Sequence, residues 1–146
     1  MPDRPNVLLV VADQHTAGAV GFEDDTYRTP HVDALAREGT RFSRCYCTHP
    51  QCSPSRSSLV TGLYPHQTGV QALPNWPSSD VYALDPDSHS VGSEFRDAGY
   101  DTGWFGRWDL GEDNAGPLGF ETTLVLALLG DVPRVHDHPL DGRFVQ

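Results

Sequence analysis

Residues 7–12 read Val-Leu-Leu-Val-Val-Ala, an unbroken apolar run rich in β-branched side chains. A strand covered on both faces has this pattern, so the run predicts a central parallel strand. Asp13 follows at its carboxyl end, where open α/β sheets place their ligands. The period then changes. Thr29 reads as a cap and Pro30 as the first helical residue. Val32, Leu35 and Ala36 recur at helical spacing as an inner face, and Gly39 is the stop. Residues 41–46 read as a short strand, and a loop with Pro50 leads onward. Residues 63–87, rich in Pro, Ser and Asp, read as loop and as the rim of a site. Ser90 reads as the cap of a helix bearing Val91, Phe95 and Ala98 and ended by Gly99. Residues 100–105 are a second core-strand candidate, followed by a loop from Gly106 to Gly111. The order predicts an α/β fold with a parallel-rich central sheet flanked by helices. Residues 131–146 read as a poorly ordered tail. There is no internal repeat or low-complexity tract.

The stretch Cys-Ser-Pro-Ser-Arg-Ser-Ser-Leu-Val-Thr-Gly, residues 52–62, gathers a thiol, a helix start, an arginine and a helix stop. Pro54 suits the first helical position, Ser53 can cap the free amides, and Gly62 suits the left-handed residue that ends a short helix. Cys52 would then sit at the positive end of a helix dipole, a natural place for an anion. Arg56, one turn in, could pair with that anion through two parallel hydrogen bonds. The plainer alternative is a capped surface helix beside a half-buried cysteine.

The longer pattern favours chemistry. Residues 52–62 resemble the sulfatase signature, Cys-x-Pro-Ser-Arg followed by Leu-x-Thr-Gly, without a mismatch. Gly-Tyr-Asp-Thr-Gly-Trp-Phe-Gly-Arg-Trp-Asp-Leu-Gly, residues 99–111, resembles the second sulfatase signature. Residues 4–14 resemble the family's opening strand and residues 29–42 its first helix. The resemblance runs in order over about residues 4–121, with a divergent tail at 122–146. It implies an alkaline-phosphatase/sulfatase-like fold, of which residues 1–146 are expected to be a truncated N-terminal part. It also implies cleavage of sulfate esters, on small molecules or carbohydrates. The motif cysteine, here Cys52, is oxidised in that family by a formylglycine-generating enzyme. The hydrated aldehyde offers one hydroxyl to attack sulfur and another to help expel sulfate. The resemblance further implies one Ca²⁺ or Mg²⁺ held by oxygen ligands. Asp13 matches the first ligand, Gln14 stands where many relatives have a second Asp, and the modified Cys52 is the third. Arg56 would hold the formylglycine. His15 and His66 are expected to be loop residues.

The second signature departs from the family at two positions. Arg107 stands where relatives have lysine, and Asp109 where they have histidine. A guanidinium keeps the charge but is a planar fork, not a point charge. An ionised carboxylate cannot donate a hydrogen bond. Facing a sulfate oxygen at ~4 Å, it would cost on the order of 4 kcal/mol at an effective dielectric of ~20. Arg107 and Asp109 could instead pair with each other. The family's later metal ligands and later basic residues find no convincing counterpart after Gly111; His136, Asp137 and His138 have suitable atoms without the resemblance. Two alternatives therefore stand beside a sulfatase: an inactive truncated remnant or pseudoenzyme, and a phosphonate or phosphate monoester hydrolase.

Bulk properties narrow the partners. The chain has 146 residues, the span of one domain, and a net charge of −10. Every basic residue is arginine, and Asp outnumbers Glu fifteen to five. Such a surface repels nucleic acid and anionic membranes, so neither is expected as a partner. Any sulfate ester must find its positive charge locally. The apolar run at residues 7–12 is too short for a secretory leader, and residues 123–129 are too short to cross a bilayer. The expected location is the cytoplasm. Cys45, Cys47, His49 and Cys52 are spaced more tightly than usual structural zinc sites, and buried thiols are expected there instead.

Overall fold

The computed structural model describes residues 4–74, 83–111, 115–125 and 134–135. The chain forms two compact units, Met1–Cys45 and Tyr46–Gln146.

In the first unit, the apolar run at residues 7–12 is not a strand. Its side chains lie open, from 58% exposed at Val11 to 87% at Leu8. A strand exists only through its ladder of hydrogen bonds to a neighbour. Among the described residues no strand pairs with this run. Residues 41–46 likewise form no strand. Helix α1 spans Pro30–Glu38 with the expected proline at its start. Thr29 does not cap its backbone. The hydroxyl accepts from the Gly21 N–H and donates to Asp33 Oδ1, each at 2.8 Å, and so ties the preceding loop to the helix. Gly39 ends the helix as expected, its N–H bonded to the Leu35 carbonyl, in an extended conformation. The expected inner face is not buried: Val32 and Leu35 are exposed. Asp24 Oδ1 accepts from the Thr26 N–H and hydroxyl, and these bonds hold the Asp24 carboxyl below its usual range.

The second unit holds the core. Helices α2 (Cys52–Thr61), α3 (Pro65–Thr68) and α4 (Val91–Asp97) precede strand β1 (Gly103–Gly106). A 3-10 turn at Gly116–Leu118 and strands β2 (Thr122–Val125) and β3 (Arg134–Val135) follow. The one-turn α3 falls inside the stretch expected to be loop. Strand β1 pairs parallel with β2, Gly103 opposite Thr122, and β2 pairs antiparallel with β3. A parallel pair requires a crossover of a dozen or more residues, and the segment carrying the 3-10 turn supplies it. Strand β1 starts three residues later than its sequence predicts. The Tyr100 N–H is still bonded to the Phe95 carbonyl at 3.0 Å, across Gly99 at φ +81°. The Tyr100 ring meets Phe95 edge-on at 5.1 Å. This helix-ending motif claims the residues that pattern alone assigns to the strand.

Val60, Val70, Leu84, Trp108, Leu110, Ala115, Leu118 and Phe120 form one buried cluster, with Trp104 packed against it. Helix α4 starts as expected: Ser90 accepts from the Ser93 N–H at 3.0 Å, and Ser93 Oγ accepts from the Ser90 N–H. The Ser90 hydroxyl also donates to the Leu118 carbonyl at 2.5 Å, fastening α4 to the crossover. Among the described residues no helix is long and apolar enough to cross a membrane.

Gly92 lies where α4 and the crossover approach closely, because an added Cβ would collide with the Leu118 carbonyl and the Phe120 ring. Gly92→Ala is expected to destabilise the chain by about 1–3 kcal/mol, the usual cost of overpacking. Equilibrium urea denaturation checks this as a lowered midpoint at unchanged slope.

Candidate active site

The site begins with α2. Ser53 and Ser57, one turn apart, are buried with Pro54 and Val60. That inward stripe fixes the rotation of the helix, and Cys52 and Arg56, also one turn apart, share a neighbouring face. Ser57 Oγ donates to the Pro54 carbonyl at 2.8 Å and lies 3.0 Å from Thr68 Oγ1, which locks α3 against α2. Gly62 ends the helix at φ +74°, its N–H bonded to the Ser58 carbonyl, as its sequence predicts. The start differs from expectation. Gln51 is the cap residue, without a side-chain cap bond, so Cys52 is already helical and Pro54 is the third residue. Ser53 is fully buried, and among the described residues its hydroxyl has no hydrogen-bond partner. Proline is tolerated anywhere in the first turn, where amides lack intrahelical partners, so its position alone does not fix the helix start. Cys52 is a half-buried free thiol.

The loop after β1 supplies the facing wall. Residues 107–110 alternate: Trp108 and Leu110 are 3% and 1% exposed, whereas Arg107 and Asp109 point away from that core. Trp108 meets Trp104 edge-on at 4.9 Å and Phe120 at 6.3 Å. The Leu110 carbonyl accepts from the Leu84 N–H at 2.9 Å. With its apolar members anchored, the loop presents its charged members to α2. Arg56 Nη1 donates to the Arg107 carbonyl at 2.8 Å, and Trp104 Nε1 donates to the same oxygen at 3.3 Å. Asp109 Oδ2 contacts Arg107 Nε and lies 3.6 Å from Arg56 Nε. All three side chains are largely covered, at 15%, 19% and 23% exposure for Arg56, Asp109 and Arg107. Asp109 sits at φ +58°, in the left-handed region that Asp tolerates better than most residues.

Cys52, Arg56, Arg107 and Asp109 all lie in the second unit, and the last three meet in one cluster. Asp13 and Gln14 lie in the first unit, where they form a turn with Gln14 at φ +54°. His15 Nε2 donates to the Ala19 carbonyl at 2.8 Å on an exposed loop. His66 belongs to α3, stacked on Tyr64 at 5.9 Å. Cys45 and Cys47 are exposed, against the expectation of buried thiols. Among the described residues no three His, Cys, Asp or Glu side chains gather to hold a metal ion. His136, Asp137, His138 and most of the tail lie outside the described residues. Trp104, Trp108 and Leu110, which position the charged loop, carry no role in the sequence analysis; the polar–apolar alternation of residues 107–110 is the signal for the last two.

This geometry coincides with a family match. The sulfatase family model matches residues 5–137, past the limit at residue 121 that the motifs alone mark. An ulvan-active sulfatase of Formosa agariphila is 36% identical over 110 residues, which is 75% of this chain and 20% of that protein. The steryl-sulfatase of Mus musculus is 34% identical over 124 residues, 82% of this chain and 20% of that protein. The crystal structure of Ps i-CgsB superimposes with a TM-score of 0.75 at 34% identity, covering 84% of this chain and 28% of that chain. The chain belongs to the sulfatase family. It spans about a fifth of the length of the curated relatives it matches.

Trp108→Ala is expected to cost about 3–5 kcal/mol, as for other large aromatic truncations in a core. Because Trp108 anchors the loop, the same change should release the Arg107 backbone. Thermal unfolding checks the first effect, and amide exchange across residues 107–110 the second.

Proposed function

We propose that this chain carries the nucleophile half of a sulfatase active site and belongs to an enzyme that hydrolyses sulfate esters of carbohydrates. The observation that carries the reading is the placement of Cys52 and Arg56 on one face of α2, with Arg56 bonded to the loop of the second signature. The carbohydrate assignment draws on relatives: Ps i-CgsB has been solved with k-i-k-neocarrahexaose, and an N-acetylglucosamine-6-O-sulfatase of Bacteroides thetaiotaomicron is 29% identical over 125 residues.

Cys52 is the residue for conversion to formylglycine, which supplies a hydrated aldehyde as nucleophile toward sulfur. The intact Cys-Ser-Pro-Ser-Arg core and the partial exposure of Cys52 suit recognition by a modifying enzyme. Arg56 holds its end of the site rigid through the Arg107 carbonyl and contributes positive charge. Calcium or magnesium fits poorly on the described residues. Asp13 and Gln14 offer at most three oxygens, whereas Ca²⁺ takes six to eight and Mg²⁺ six.

A second reading, an inactive remnant, is favoured by Asp109. Its carboxylate lies against Arg107 and near Arg56, where the family's histidine would face substrate with a donor. Both readings agree for the chain by itself: little or no turnover is expected.

Co-expression with a formylglycine-generating enzyme should convert Cys52, read by peptide mass spectrometry. Wholly unmodified Cys52 beside an active modifying enzyme would count against the nucleophile assignment. The converted chain should hydrolyse aryl sulfates far below ~1 per second, the low end of ordinary enzyme turnover. Asp109→His with Arg107→Lys should restore little, because the metal ligands are still too few. Assays with aryl sulfate and aryl phosphate side by side separate a sulfatase from a phosphate monoester hydrolase.

A further inference from the structure

We infer that Asp109 is a built-in counter-anion: its carboxylate takes the place between the Arg56 and Arg107 guanidinium groups that a tetrahedral oxyanion would otherwise occupy. This assignment concerns oxyanion binding alone and holds whether or not Cys52 is modified or any ester is hydrolysed.

Two guanidinium groups that converge on one point are a recognition device for sulfate or phosphate, because each offers N–H donors in a planar fork. In this chain the point of convergence is filled. Both Nε atoms face the same atom, Asp109 Oδ2, one in contact and the other at 3.6 Å. That oxygen is buried, and among the described residues it is held by the charge of the two arginines rather than by a hydrogen bond. The backbone position is specific. Trp108 and Leu110 are buried on either side, and Asp109 at φ +58° turns its side chain toward the arginines. A carboxylate so placed neutralises part of the positive charge and repels an incoming anion. It also fills the space. Removing its charge while keeping its shape should convert a closed ion cluster into an oxyanion site.

The left-handed backbone dictates the variant. Asn tolerates φ > 0 about as well as Asp, and Gly better, so Asp109→Asn and Asp109→Gly both respect the loop. The probe is inorganic sulfate, titrated by calorimetry against chloride at matched ionic strength, with thermal stability read in parallel. The unsubstituted chain should show no sulfate binding that depends on Arg107. Asp109→Asn should bind sulfate roughly 30-fold more tightly or better, a part of the full Coulomb effect reduced for partial solvent exposure. Adding Arg107→Gln to Asp109→Asn should abolish the gain. If Asp109→Asn is too unstable to titrate, Asp109→Gly takes its place. The melting temperature of either variant should rise with sulfate while that of the parent does not. Three results overturn the assignment: no gain in sulfate binding on loss of the carboxylate, a gain that survives Arg107→Gln, or sulfate binding by the parent chain that Arg107→Gln removes.

Discussion

The burial of Trp108 and Leu110 holds the candidate site together. Two residues spaced by one are sunk into the cluster beneath β1, Trp108 against Trp104 and Phe120, and Leu110 through its carbonyl on Leu84. Trp108 and Leu110 are buried while Arg107 and Asp109 are not, and Asp109 sits in the left-handed region at φ +58°; the loop so shaped turns its charged members toward Arg56 of α2. Helix α2 is rotated by the same logic, because Ser53, Ser57 and Val60 face inward. The charged cluster is thus a by-product of two buried anchors, one on each wall, and its geometry is only as firm as they are.

The two departures from the family pattern make sense as a pair. A lysine and a histidine would both present positive or donor groups. An arginine and an aspartate offset one another's charge, and the second arginine, Arg56, lies near the same carboxylate. Losing one partner of a largely covered ion cluster leaves uncompensated charge, so neither change is readily reversed alone. The Arg107 backbone is equally committed, since its carbonyl serves both Arg56 and Trp104.

What the sequence made legible follows from how local each signal is. Gly62, Ser90 and the proline of α1 announce their helix ends because capping is decided within a few residues. The join of Cys52 and Arg56 on one face follows from helical spacing alone. Residues 7–12 carry the pattern of a strand without forming one, because an apolar run reports a wish for burial and not the presence of a partner. Strand β1 was placed too early because the Tyr100 N–H was already engaged by the helix behind it. The approach of Asp109 to Arg56 joins residues more than fifty positions apart, and no local pattern in the sequence announces it. The roles of Ser53 and Thr29 were misjudged for a related reason: a serine or threonine near a helix start has several backbone and side-chain partners to choose among.

The open apolar run at residues 7–11 has a physical consequence of its own. Five consecutive aliphatic side chains stand in water with the edge groups of their backbone unpaired by any described strand. Such a segment is a template for another chain. Its attraction strengthens on warming and with excluded salts, and weakens in the cold. The chain's net charge of −10 works the other way, through mutual repulsion that salt screens. The colloidal behaviour of this stretch of chain by itself is therefore set by a contest with two control variables. Cold, dilute, low-salt solution favours separate molecules, and warm, concentrated brine favours their coalescence.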